Sequence, residues 1–256
     1  MKVALCISGH LRCGLDLFPN IKKSLLDVYN PDIYIYLWEE CEKLDPESNV
    51  FIQTKDKIKE DTISKIVDSF RPKEIIIANN TKFISSLPKF NLSEHNINFI
   101  NKKKQNCPSV YSLKGFFSQH YANWKSMQLP IASGKNYDII IRHRFDTYFT
   151  KKINANIFSL SLNNIVVPNN LKFGGLNDRF ALGPPKYMNI YSSLFFNLYR
   201  FCVIDGVRYH PESLLKLLIE KNKIPFIEEN IPMDTIRKVE NVLFTASKDV
   251  ICEYFK

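Results

Sequence analysis

The stretch "YDIIIRHRFDTYF", Tyr137 to Phe149, sets three consecutive isoleucines, Ile139 to Ile141, directly ahead of Arg142, His143, Arg144 and Asp146. An unbroken apolar run of this kind suits a strand covered on both faces, as in parallel sheets packed between helices. Alternation along that strand puts Arg142 and Arg144 on one face and His143 on the other, so the three do not act as one cluster. Asp146 arrives where the strand leaves the sheet. A carboxylate there can hold a divalent cation that bridges the phosphates of a nucleotide, and Arg142 or Arg144 can add a charge-assisted bond to phosphate. An exposed strand end with a salt bridge would use the same residues. His143 by itself reads as a packed or hydrogen-bonded histidine.

Working outward, the first third alternates strand and helix patterns. "KVALCIS" is an apolar run ended by Gly9, followed by Phe18, Ile21, Leu25 and Val28 at helical spacing, with Pro19 suited to a first turn. "DIYIYLW" is the next strand. A polar segment leads to Ile58, Ile63, Ile66, Val67 and Phe70 on one helical face, then to the strand "EIIIA". Strand, helix, strand, helix, strand implies a parallel sheet with right-handed crossovers, and such sheets bind ligands at the carboxyl ends of their strands. Residues 79–110 read as a long polar loop. From Ser112 the stripe Leu113, Phe116, Phe117, His120, Tyr121, Trp124 and Met127 predicts a long helix, kinked or ended at Pro130. Val166 and Val167 suggest a strand, and "GPPKYMNIYSSLFFNLYRF" and "HPESLLKLLIEKNKI" suggest helices. The tail from Ile227 carries no readable period, and no linker divides the 256 residues, so one domain is expected.

Composition narrows the class. With 45% hydrophobic and 24% charged residues the chain is globular, and its net charge of +9 favours anionic partners without choosing among nucleotide, nucleic acid and membrane surface. No apolar stretch approaches the roughly 18 residues of a transmembrane helix. Six cysteines lack the spacing of a zinc site or disulfide framework, which leads us to expect reduced thiols in a cytoplasmic compartment. Neither G-x-G-x-x-G nor a Walker A lysine is present, disfavouring dinucleotide enzymes and NTPases of those types.

Three further motifs carry chemistry. In "ISGHLR", Gly9 lets backbone approach a ligand beside Ser8, and Arg12 can reach phosphate, although a tight turn with a solvated arginine uses the same letters. In "GGLNDRFALG", Asp178 can orient or deprotonate a hydroxyl, or simply form an Asx turn. Glu212 in "HPESLLKLL" falls in the first turn of a helix, where the macrodipole alone favours a carboxylate; it is the second candidate base.

Taken in order, "VALCISGHLR", "DIYIYLW", "RPKEIII", "YDIIIRHRFDTYF" and "LNDRFALGPPKYM" resemble small bacterial and viral glycosyltransferases of the GT-A fold over most of residues 1–220. The resemblance implies an α/β fold, a Rossmann-like, mixed but mainly parallel sheet flanked by helices, with a nucleotide-binding half over about 1–150 and an acceptor-side half over about 151–256. It implies transfer of a hexose or pentose from a nucleotide diphosphate sugar to a hydroxyl of a glycan or glycolipid, as in polysaccharide biosynthesis. Ser8, Gly9, Arg12, Arg142, Arg144 and Asp146 would then hold the donor, Asp146 would ligate manganese or magnesium in the position of a DxD motif, and Asp178 or Glu212 would serve the acceptor. "DTY" supplies only one of the two DxD carboxylates. Two other readings are a catalytically inactive protein of that fold and a basic nucleic-acid-binding module, for which aromatics and lysines interleave in "KKKQNCPSVYSLKGFF". With a transferase no nucleic acid is expected, and the basic surface is compatible with peripheral attachment to an anionic membrane.

Overall fold

A computed structural model describes residues 1–45, 50–87, 113–239 and 242–245. Seven strands form the central sheet: β1 (Val3–Gly9), β2 (Asp32–Trp38), β5 (Glu74–Ala78), β6 (Ile139–Arg144), β8 (Ile165–Pro168), β9 (Phe180–Gly183) and β10 (Phe226–Glu229). They lie in the order β10-β8-β9-β6-β1-β2-β5. The pairs β5–β2, β2–β1, β1–β6 and β8–β10 are parallel, and β9 runs antiparallel to both β6 and β8. Strands from residues 1–150 and from 151–256 therefore share one sheet.

Period-two alternation fills two apolar layers from the same strands. Leu5, Ile7, Ile35, Ile139, Ile141, Phe180 and Leu182 face a layer completed by helix Gly14–Ile21 and helix Glu60–Phe70. Ala4, Cys6, Tyr34, Ile140, Val167 and Ala181 face the opposite layer, under helix Leu113–Ala132 and the helices beyond Pro184. Ile139 and Ile141 are completely buried, so truncating either to alanine would cost about 2–5 kcal/mol. On the second face, Trp38 of β2 stacks on Phe83, and Phe83 on Tyr121 at 4.2 Å between ring centroids, seating the long helix over the strand ends.

Several sequence expectations are corrected. Pro19 sits deep in helix Gly14–Ile21, not in its first turn, because the helix begins at Gly14, and the chain widens into a π turn at Lys22–Leu26 just after it. The polar segment after Trp38 is a hairpin, β3 (Glu40–Asp45) and β4 (Val50–Lys57), whose apolar residues do not alternate with polar ones along either strand. Asn80–Ser86, read as loop, is a helix capped by the Asn79 side chain, which accepts from the Lys82 amide at 2.5 Å. The helix over Pro130 continues to Ala132 before stopping. The helix after the prolines is broken into Pro185–Ser192, Leu194–Tyr199 and a π segment Arg200–Ile204. The unreadable tail holds most of β10, and then β11 (Met233–Val239) and β12 (Val242–Thr245), which form a small antiparallel sheet with β7 (Thr147–Phe149). Tyr111, Ser112 and most of the "KKKQNCPSVYSLKGFF" stretch lie outside the described residues.

Candidate active site

The sequence candidates Ser8, Gly9, Arg12, Arg142, Arg144, Asp146, Asp178 and Glu212 converge on one edge of the sheet, where β1 and β6 end and the antiparallel β9 begins. β1 closes with Gly9 at φ 117°, a backbone that only glycine adopts freely, with open space where a side chain would stand. The chain then turns, the Gly14 amide donating to the Leu11 carbonyl at 2.7 Å, and Arg12 is held in the left-handed region at φ 48°. Gly14 is required here, since a Cβ would lie 2.8 Å from the Phe145 ring. That close packing sets Arg12 beside the residue after Phe145, and its guanidinium bonds the Asp146 carboxylate through Nη1.

Arg144 holds the same carboxylate from within its own strand end, Nε to Oδ1 at 2.9 Å and Nη2 to Oδ2 at 2.7 Å. Asp146 is 2% exposed, and its carbonyl accepts from the Ile236 amide of β11 at 2.8 Å. Burial alone would raise its pKa, but Arg144 and Arg12 outweigh that and hold it well below the usual carboxylate range. Arg12 is anchored a second time by Glu42 of the hairpin, Nε to Oε2 at 2.7 Å, and it also lines a cleft of about 680 Å³ with Glu42, Asp56, Lys57, Asp61 and Thr62. Glu40, one strand position pair earlier, accepts from the Asn80 and Thr81 amides at 2.7 and 2.8 Å, joining the hairpin to the start of helix Asn80–Ser86.

Arg142 occupies the centre. It lies on the same face as Arg144, as strand alternation dictates, and is 1% exposed. Its Nε donates to the Asp178 carbonyl at 3.2 Å, and its Nη1 to Ser8 Oγ at 3.3 Å and the His143 carbonyl at 2.9 Å. Among the described residues no carboxylate lies within ion-pair distance of it. Burial pulls it below the ordinary arginine value. His143 points into the opposite layer, 5.5 Å from the Phe149 ring and 6.0 Å from Phe180, so it is a core histidine, neutral at about 3 because burial and Arg142 both disfavour its charge.

The carboxylate pair follows from one glycine. Gly175 lies against the backbone of Glu212 and Ser213 so closely that no Cβ could fit, and the Leu176 amide donates to the Glu212 carbonyl at 3.0 Å. Asp178 and Glu212 thereby meet across Arg179, whose Nη1 lies 3.3 Å from Asp178 Oδ1 and 3.4 Å from Glu212 Oε1. Gln119 of the long helix donates to the other oxygen of Asp178. The two acids are pushed apart: burial acts upward on both, but Arg179, Arg144 and His120 hold Asp178 below its ordinary value, whereas burial and the nearby Asp178 raise Glu212 to about 7. His210 caps helix Pro211–Lys221 by accepting from the Ser213 amide, with its Nε2 3.5 Å from Glu212 Oε2.

Glu40, Glu42, Gln119, His120 and Arg179 escaped the sequence reading. His120 was legible only as part of an apolar stripe, yet it is 3% exposed with Nε2 unpartnered, and burial lowers it to about 4. Arg179 was the one with a signal, adjacent to Asp178 and ahead of a buried strand.

A cation held by protein side chains needs several free carboxylate or imidazole donors placed together, and the described residues of this edge do not offer such a group. Both oxygens of Asp146 are spanned by guanidinium groups, Glu42 is bound by Arg12, and no group of three or more His, Cys, Asp or Glu is placed to hold a metal among the described residues. The same residues show no helix long and apolar enough to cross a membrane.

The sheet and its covering helices make this a GT-A fold, α/β with a mixed, mainly parallel sheet. Among solved structures, core-mannan synthase A (CmsA/Ktr4) from Aspergillus fumigatus in its Mn/GDP form is similar with a TM-score of 0.52 at 12% identity, over 91% of this chain and 74% of that one. Residues 128–245, from the end of the long helix through β12, match a family model described as a domain of unknown function (DUF7796). No curated protein matches.

Proposed function

We propose that the protein is a glycosyltransferase that moves a sugar from a nucleotide diphosphate sugar to a hydroxyl of a glycan or glycolipid. The observation that carries this reading is the buried Arg142 without a carboxylate partner, at the sheet edge that also presents the Asp178–Glu212 pair. The reading is supported by the general rule that open α/β sheets bind nucleotides beyond the carboxyl ends of their strands, which is where β1 and β6 end here. The open Gly9 turn and Ser8 line the nucleotide side, and Arg142 and Arg144 face the diphosphate.

In the reaction the acceptor oxygen forms a bond to the anomeric carbon as the bond from that carbon to the phosphate oxygen breaks. The electron pair leaves with the nucleoside diphosphate, whose new charge Arg142 and Arg144 neutralise. The hydroxyl proton passes to a carboxylate. Glu212, raised to about 7, is better matched to this at neutral pH than Asp178, which is held ionised and engaged by Gln119 and Arg179. Asp178 then orients the acceptor. A divalent cation, as in the Mn/GDP form of the mannan synthase, would supply further charge neutralisation at the diphosphate; the residues here do not provide its ligands, and no step above depends on it.

The experiment is an assay for sugar transfer from UDP-, GDP-, CMP- and dTDP-sugars to a panel of glycan and glycolipid acceptors. Transfer from one donor that falls by at least 100-fold in Glu212→Gln supports the reading. Salt-sensitive retention on single- or double-stranded nucleic acid, with no transfer from any donor, would replace it with the nucleic-acid-binding alternative.

A further inference from the structure

Building on the transferase reading, we infer that this site binds its donor diphosphate through guanidinium groups alone, and that Asp146 is a positioning residue for Arg12 and Arg144 where a GT-A enzyme would be expected to place a cation ligand.

The first argument is occupancy of the carboxylate. Divalent magnesium or manganese requires oxygen at about 2.0–2.2 Å and near-octahedral geometry. Asp146 Oδ1 receives Arg144 Nε, and Oδ2 receives both Arg144 Nη2 and Arg12 Nη1. A cation there would have to expel two guanidinium groups from a side chain that is 2% exposed and would be repelled by both.

Charge gives the second argument. Arg12, Arg142, Arg144 and Arg179 bring four guanidinium groups to this edge, and among the described residues Arg142 has no carboxylate within ion-pair distance. A diphosphate supplies that partner, whereas a cation would only add repulsion.

The third argument is geometry. Among the described residues, Arg142 uses Nε and Nη1 for its hydrogen bonds and leaves Nη2 without one, and Arg144 uses Nε and Nη2 and leaves Nη1. The two arginines alternate on one face of β6, so their Cα atoms stand about 6–7 Å apart along the strand. Two linked phosphates can bridge that span, each taking a charge-assisted bond. Arg142 is the stronger anchor, because a buried cation without a counter-ion gains most from an arriving anion. Asp146 fixes the forks of Arg12 and Arg144 at the end of β6.

The test measures binding separately from turnover. Thermal stability of the full chain is followed with UDP, GDP, CDP and dTDP, once in EDTA and once in manganese, for the wild type and for Arg142→Met, Arg142→Lys and Asp146→Asn. The expected result is that one nucleoside diphosphate stabilises the wild type in EDTA with a dissociation constant within about threefold of that in manganese. Arg142→Met weakens it at least tenfold in either medium, while Arg142→Lys, which keeps the charge, recovers part of the loss. Stabilisation that requires manganese, and whose manganese increment disappears in Asp146→Asn, overturns the inference and leaves the transferase reading standing. No stabilisation by any of the four in either medium overturns both.

Discussion

Arg144 and Asp146, two residues apart in sequence, form a bidentate pair with bonds of 2.9 and 2.7 Å at the point where β6 leaves the sheet. With Asp146 replaced by Asn, Arg144 loses its carboxylate while Arg12 keeps Glu42, and we expect a loss of about 1.5–3 kcal/mol in urea unfolding. Folding depresses this carboxylate, so its contribution to stability is complete above its unfolded value of 3.8 and is lost as pH falls through the folded one. The variant should accordingly unfold with a shallower acid dependence than the wild type below about pH 4.

Arg142 behaves in the opposite way. Methionine at this position loses three hydrogen bonds, each worth about 1 kcal/mol, and removes an unpaired buried charge whose desolvation costs several. The two effects offset, and Arg142→Met should unfold within about 2 kcal/mol of the wild type. A far larger loss would show that its bonds to Ser8 and to the Asp178 carbonyl hold the sheet edge together.

Glu212 makes stability fall with pH. Folding raises it, burial acting first and Asp178 second against the opposing Arg179, so the native state holds the proton more tightly than the unfolded chain between 4.5 and about 7. Its stabilising contribution is full below 4.5 and is lost as pH rises through about 7. Glu212→Gln should abolish that slope, read as urea midpoints at pH 5 and pH 8. Transfer by the wild type should rise through about pH 7, and the variant should lack that limb.

Gly175→Ala should damage both acids at once. Its Cβ would fall inside the backbone of Glu212 and Ser213, which cannot give way as a flexible side chain can. We expect about 1–3 kcal/mol of destabilisation by thermal unfolding, with kcat reduced more than KM for the donor, since Arg142 and Ser8 are left in place.

The sheet was legible because its strands obey simple rules: "KVALCIS", "DIYIYLW", "EIIIA" and "DIII" are apolar runs punctuated by turn residues, and their order fixes parallel pairing. Arg142 and Arg144 were assigned to one face, and His143 to the other, by period two alone. The hairpin that delivers Glu42 was hidden, since its apolar residues, Cys41, Leu44 and the run Val50 to Ile52, follow no period of two. The partnership of Asp178 with Glu212 was hidden as well. It depends on Gly175 meeting a helix 37 residues further along the chain, a contact between distant segments for which no local periodicity exists. Asp146 shows the limit most sharply: its position was readable, but its partners come from the left-handed turn at Arg12, 134 residues upstream.

The strict alternation of β6 also constrains how such a chain can diverge. Between Ile139 and Asp146 each residue belongs to one of two layers, with isoleucines and His143 interleaved among the arginines. Gain or loss of a single codon inside this segment would swap the layers, sending guanidinium groups beneath Phe149 and Phe180 and turning His143 toward the open edge. Substitution one position at a time is open to lineages of this protein across β6. Length change is not, and must be confined to the connections before Tyr137 and beyond Phe149.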